Sequence, residues 1–260
     1  MKCKNCHSEV NTPYCPYCGQ RSSTSQLTYK SLAQSLMMSF GTIDRGIIRT
    51  LIDLFVHPGR MSVEYVSGKR VTFFAPFQLL FIMATLYMII YFWSGGNSDF
   101  TTPELLQDII SPALNLFLTK SVRFFQNNRG IMWAFCIPFQ AFAFRILYKE
   151  VRYRFTWVET CFIAAYFFSQ IIIVELAVVV YNQLFPAYLI KDSTLTLTYL
   201  LLLSYDMKQL TGGTWKKNIY KCILSQILFY TVLATLALIA LVLILSIYNV
   251  DIDPDNLNIK

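Results

Sequence analysis

Three apolar runs constrain this chain more than any other feature. Phe73 to Trp93 and Cys222 to Tyr248 carry no charged residue, and Trp157 to Tyr181 carries only Glu159 and Glu175. Crossing a bilayer takes about 20 mostly apolar residues, because the hydrocarbon core is about 30 Å thick and a helix rises about 1.5 Å per residue. Pro76 falls in the first turn of its run, where a missing N–H costs little. Two further stretches approach the requirement: Ile131 to Tyr148, with Arg145 near its end, and Thr194 to Tyr205, which reaches spanning length only by starting near Ala187 and taking in Lys191 and Asp192. The chain is 55% hydrophobic and 14% charged, whereas an ordinary soluble domain is about 45–50% apolar and about 25% charged. That surplus sets aside a soluble enzyme and intrinsic disorder. The expected fold class is all-α, a multi-span integral membrane helix bundle of about five spans.

The distribution of Lys and Arg supports that number. Nine precede the first run; the successive connections then hold three, four, one and four, and the tail one. Cytoplasmic loops carry the excess of Lys and Arg, so the alternation predicts five spans in the cell membrane with the N-terminus cytoplasmic. Dropping the fourth span would put Lys208, Lys216, Lys217 and Lys221 on the wrong side. The net charge of +7 thus reads as topology and contact with anionic headgroups of the lipid bilayer. No single face collects the charge, so nucleic acid is not expected as a partner. The opening Met-Lys-Cys-Lys-Asn-Cys lacks the early apolar run of a signal peptide.

Cys3-Lys-Asn-Cys6 and Cys15-Pro-Tyr-Cys18 form two Cys-x-x-Cys pairs, separated by eight residues. Each pair sets two sulfurs on one tight turn, and the short connection brings the turns face to face as a tetrahedral thiolate site for Zn(2+). Gly19 suits the backbone bend after the second pair. A segment of this length builds no core alone, so metal would supply its folding energy. Redox dithiols or disulfides are the competing reading and fit a cytoplasmic segment poorly. His7 is a spare ligand or a bystander. With four thiolates the site is closed, and catalysis by this zinc is not expected. Cys136, Cys161 and Cys222 stand singly in apolar surroundings, where a thiol acts as a small hydrophobe.

Residues 21–72 read as a linker followed by amphipathic interfacial helices, between a zinc ribbon at 1–20 and a transmembrane region at 73–248; residues 249–260 form an acidic tail. One helical pattern places Leu32, Leu36, Met37 and Phe40 on a common side. A second starts at Thr42, an N-cap candidate, and aligns Ile43, Ile47, Leu51, Leu54 and Phe55 opposite Arg45, Arg49 and Asp53. His57-Pro58-Gly59 stops it. Such a helix lies in the headgroup interface or docks a partner helix.

The succession Cys-x-x-Cys, Cys-Pro-Tyr-Cys-Gly-Gln, Asp44-Arg45-Gly46, Arg49-Thr50-Leu51, Pro58-Gly59, Tyr65, Gly68-Lys69-Arg70 and Pro76 resembles a bacterial family of unknown function. Its members join an N-terminal zinc ribbon to a multi-span membrane region. The resemblance implies that architecture and assigns no reaction. Beyond Pro76 it extends only to hydropathy and the Tyr205-Asp206 stretch.

Glu175 is the notable polar group, because an ionisable side chain inside the membrane is costly and usually faces the bundle interior or a cavity. Helical periodicity puts Phe168 and Tyr181 near its face. It is either a proton- or substrate-linked carboxylate with Arg145 or Lys191 as partner, or a buried structural Glu. Glu159 is expected to pair with Arg152 or Arg154. The connection Pro103 to Gly130 is expected to form helices on the outer leaflet or to cover a cavity. Only two histidines occur, both before the first span, and no nucleophile–base set is apparent. The leading expectation is a non-enzymatic assembly or regulatory membrane protein whose zinc module contacts a cytoplasmic or membrane protein partner. The alternative is a small transporter or lipid-handling protein using Glu175 and Arg145. A membrane-embedded enzyme comes last.

Overall fold

The computed structural model describes residues 1–22, 27–29, 46–95, 112–190 and 192–247. The expected helix through Leu32 and Phe40, the start of the next at Thr42, Lys191 and the acidic tail lie outside them. Among the described residues the chain is helical beyond the cysteine segment, which shows only two isolated antiparallel bridges, Lys2 with Glu9 and Tyr14 with Arg21. In chain order the helices are α1 Ile47–Val56, α2 Pro58–Val66, α3 Pro76–Trp93, α4 Pro112–Asn127, α5 Arg129–Leu147, α6 Lys149–Arg154, α7 Trp157–Leu184, α8 Asp192–Thr211 and α9 Trp215–Ile247.

Four of these are long and apolar enough to cross a membrane: α3, α5, α7 and the Trp215–Ala240 part of α9. Helix α7 is central, packing most extensively on α3 and also on α5, while α9 packs on α5 and α8. Rings form much of the contact: Phe77 and Phe144 meet Phe162 and Phe167 edge to face, and Trp133 stacks on Phe168 at 4.9 Å. Pairs of this kind add about 0.5–1.5 kcal/mol beyond the area they bury. Cys136, Cys161 and Cys222 are buried in this core.

Helix α8 has 20 residues, so at about 1.5 Å per residue its length reaches about 30 Å. Its Thr, Ser, Asp206 and Lys208 keep it out of the apolar set. Helix α9 has 33 residues and begins seven residues before the expected span. Lys208 and Tyr205 of α8 hold its first residue, with the ammonium 3.9 Å from the Trp215 ring and the Tyr205 ring stacked on it.

Helix α1 ends before Pro58 as expected, and Pro58 also starts a second helix. Proline is favoured at the first helical position, where its fixed φ fits and its absent N–H has no partner to lose. Helix α2 then lies so close to α8 that a Cβ on Gly59 would stand 2.5 Å from the Leu210 nitrogen. Helix α4 carries exposed Leu116, Phe117, Phe124 and Phe125.

Candidate metal centre and intramembrane polar groups

The two cysteine pairs adopt the same local fold. The His7 nitrogen donates to the Cys3 carbonyl and the Gly19 nitrogen to that of Cys15, at 3.0 and 2.8 Å. Each turn ends on a left-handed residue, His7 at φ 62° and Gly19 at φ 74°. His7 therefore takes the position of the second turn's glycine, and the sulfurs cluster without it. The four Sγ atoms of Cys3, Cys6, Cys15 and Cys18 all lie within 4.8 Å of one another, with Cys3–Cys18 at 3.6 Å and Cys6–Cys15 at 3.5 Å. Tetrahedral metal–sulfur bonds of about 2.3 Å put sulfurs about 3.8 Å apart, so the donor set fits one metal ion.

The Ser8 hydroxyl sits 2.9 Å from Cys6 Sγ and 3.2 Å from Cys15 Sγ. It holds both thiols below their usual range, Cys15 down to about 6. Burial pushes Cys18 up to about 11. A hydroxyl beside two sulfurs favours the thiolates that bind metal.

Two side chains of this module reach the connection between α2 and α3. Gln20, 3% exposed, donates to the Gly68 carbonyl at 2.8 Å and accepts from the nitrogens of Arg70 and Val71. Asn5, between Cys3 and Cys6, accepts from the Thr72 nitrogen and hydroxyl at 3.2 and 2.6 Å. Thr50 of α1 accepts from the Phe74 nitrogen, and the Tyr166 hydroxyl of α7 donates to the Phe74 carbonyl. Non-helical backbone here has its polar groups satisfied by side chains from the module, α1 and α7.

The structure does not bring Glu175 and Arg145 together. Arg145 donates to the Phe155 carbonyl and lies 3.5 Å from the Thr160 hydroxyl, at the start of α7. Thr160 and Glu175 are fifteen residues apart on one helix, about 22 Å at 1.5 Å per residue. Glu175, 8% exposed, accepts a hydrogen bond from the Tyr199 hydroxyl of α8 at 3.0 Å. Phe168 is buried near its face, whereas Tyr181 is partly exposed against Phe185. Glu159 does not pair with Arg152 or Arg154. It closes a capping box with Thr156, accepting from the Thr156 nitrogen at 2.8 Å while Thr156 Oγ1 accepts from its own; the cap satisfies helix-start donors that an arginine pair would leave open.

Sequence reasoning missed Asp206, whose side chain is fully buried beside Gln170 and Cys222. Its signal was present as a carboxylate within a marginal span. Asn5, Gln20 and Tyr199 were also missed, because their partners are remote in sequence.

Among known proteins, residues 44–88 match the model of a family described as a protein of unknown function, DUF3667. That segment covers α1, α2 and most of α3 and includes the Gly68–Thr72 connection that the cysteine module grips. No curated protein and no solved structure matches the chain. The chain is thus similar, over α1 to α3, to a family without an assigned activity.

Proposed function

We propose that this is a non-enzymatic assembly or regulatory protein of the cell membrane, with five spans, in which an N-terminal zinc ribbon forms a fixed contact surface on the cytoplasmic side. The observation that carries this reading is the grip of Asn5 and Gln20 on residues 68–72. Asn5 lies within the first cysteine turn and Gln20 directly follows the second, so holding the metal also holds the connection that leads into the first span. Four thiolates at tetrahedral spacing favour Zn(2+), which supplies folding energy and leaves no open position for chemistry. The module also presents Tyr14 and Tyr17, 60% and 80% exposed. Tyrosine is enriched in protein contact surfaces. The cytoplasmic placement rests on the Lys and Arg distribution, and α8 serves as the fifth span because it returns Lys208 to Lys221 to that side.

The test places a photoreactive benzoylphenylalanine at position 17 in native membranes. A discrete crosslinked protein is expected, lost on Cys15→Ser and kept on Glu175→Gln. A crosslink that survives metal loss, or none from metal-loaded protein, overturns the contact role.

A second reading, a small transporter or lipid-handling protein, is favoured by Glu175 and Tyr199 meeting beside a membrane-level cavity. It predicts a pH-dependent flux or lipid movement in vesicles that Glu175→Gln abolishes.

A further inference from the structure

A cavity of about 300 Å³ opens where three separate parts of the chain meet: the first cysteine turn through Lys4, the end of α2 and its exit as far as Arg70, and the turn before α7 through Arg154. Its size is at the lower end of small-molecule sites. Lys4, Arg70 and Arg154 bring three positive charges to the wall and Glu159 the one negative charge, a balance of +2. The Glu159 carboxylate is already committed to the cap of α7, where its Oε2 accepts from the Thr156 nitrogen. Arg154 has no carboxylate within ion-pair distance among the described residues. Its guanidinium lies over the Phe155 ring at 5.2 Å and 3.5 Å from the Leu210 carbonyl, contacts that orient the charge without cancelling it. Like charges gathered around one cavity repel, and a bound anion relieves that repulsion.

We propose that this cavity binds a phosphomonoester. Such a group carries about −1.5 to −2 at neutral pH, which matches the balance of the wall. A phosphodiester has one negative charge and leaves half of that balance unmet. Two of the three cations are arginines, whose planar fork of donors fits two phosphate oxygens at once. Val63, Val66 and Phe155 make up the apolar part of the lining, so the group esterified to the phosphate has carbon to rest on. Arg70 and Phe155 lie shortly before the first residues of α3 and α7, the level at which membrane-crossing helices meet the headgroup layer. Two sources carry this chemistry: phosphatidic acid in the bilayer, or a soluble phosphate ester from the aqueous side. The site uses neither the exposed tyrosines nor Glu175, so it goes beyond both functional readings.

The experiment uses the full chain in phosphatidylcholine nanodiscs. Native mass spectrometry counts the lipid retained when the discs also contain phosphatidic acid or phosphatidylglycerol, and calorimetry follows glycerol 3-phosphate added to discs that contain neither. Retention of phosphatidic acid above phosphatidylglycerol, or saturable binding of glycerol 3-phosphate, is expected, and whichever binds names the source. Arg154→Gln is expected to weaken that binding about fivefold. Glu159→Gln keeps the cap, because glutamine serves equally at that position, and removes the one negative charge. It is expected to tighten binding, a gain that a misfolded protein does not produce. Lys216→Gln removes an exposed charge outside the cavity and is expected to change nothing. The site is overturned if neither phosphomonoester binds selectively, if Glu159→Gln fails to tighten binding, or if Lys216→Gln weakens it as much as Arg154→Gln.

Discussion

The cysteine module and the helix bundle solve the same problem with opposite means. The module's buried core is Cys3, Val10 and Cys15, too little apolar surface to offset the entropy of ordering some twenty residues. What it has instead is four sulfurs close enough to share one ion and polar contacts to the rest of the chain. The bundle has the converse composition, with a continuous core that takes in Leu27 and runs on from Leu54 to Phe229, in which rings interlock along α7. It buries polar groups as exceptions, such as Asp206, Gln170 and Gln140. One region is held by chemistry at a few atoms, the other by packing spread over many. Damage should accordingly be abrupt in the first and graded in the second.

The largest expected effect is metal removal. Apparent binding energies of structural zinc are about 10–16 kcal/mol. Cys15→Ser or a strong chelator should therefore take bound metal from one equivalent to none and expose residues 1–22 to protease. Helical circular dichroism should stay within a few per cent of its starting value, since the bundle needs no metal. A parallel loss of helix would break the contrast.

Next comes Gly59→Val. Its added carbons meet the backbone of α8, and overpacking of this kind costs about 1–3 kcal/mol. A fall in the thermal midpoint with metal content unchanged would place the damage in the bundle alone.

The double change Asn5→Ala with Gln20→Ala probes the joint. It leaves the nitrogens of Arg70, Val71 and Thr72 to find other partners, at about 1–3 kcal/mol in sum. The protein should keep its metal while protease cuts between the module and α1 faster. Unchanged cleavage would mean that the module is held elsewhere.

The smallest effect concerns Glu64. Burial raises its carboxyl, but the Arg60 and Lys69 partners, each at 3.2 Å, outweigh that and hold it below the usual range. A depressed folded-state value contributes stability above the unfolded value, lost as pH falls through the folded one. Its partial exposure limits the contribution to a few tenths of a kcal/mol. Glu64→Gln should therefore narrow the stability difference between neutral pH and pH 3 only slightly, as read by thermal melts.

How much of this was legible in the sequence follows from the same contrast. Composition alone located the apolar helices, because a run without charge has few other fates. The Cys-x-x-Cys spacing located the sulfur cluster, because two short turns bring their own ligands. Thr156-x-x-Glu159 was equally local and readable as a helix start, whereas the nearness of Arg152 and Arg154 in sequence does not translate into a pair. By contrast, nothing in periodicity joins Gln20 to Gly68 or Tyr199 to Glu175. Those pairs exist only once the helices have taken their places. Pro58 carries two signals, because the same residue both stops one helix and favours the start of the next.

Helix α9 has a mechanical consequence. Its 33 residues extend about 50 Å, and side chains such as Leu238, Ile239, Val242 and Leu243 are more than half exposed among the described residues. Its first seven residues hold Lys216, Lys217 and Lys221, and the uncharged part, 222–247, extends about 39 Å, still longer than a hydrocarbon layer of about 30 Å. In a membrane that part would lean, or the surrounding lipid would thicken to meet it, at a cost of fractions of a kcal/mol for each ångström of mismatch. A helix of this length, once it spans, would gauge membrane thickness, and the protein should then sort towards thicker bilayers.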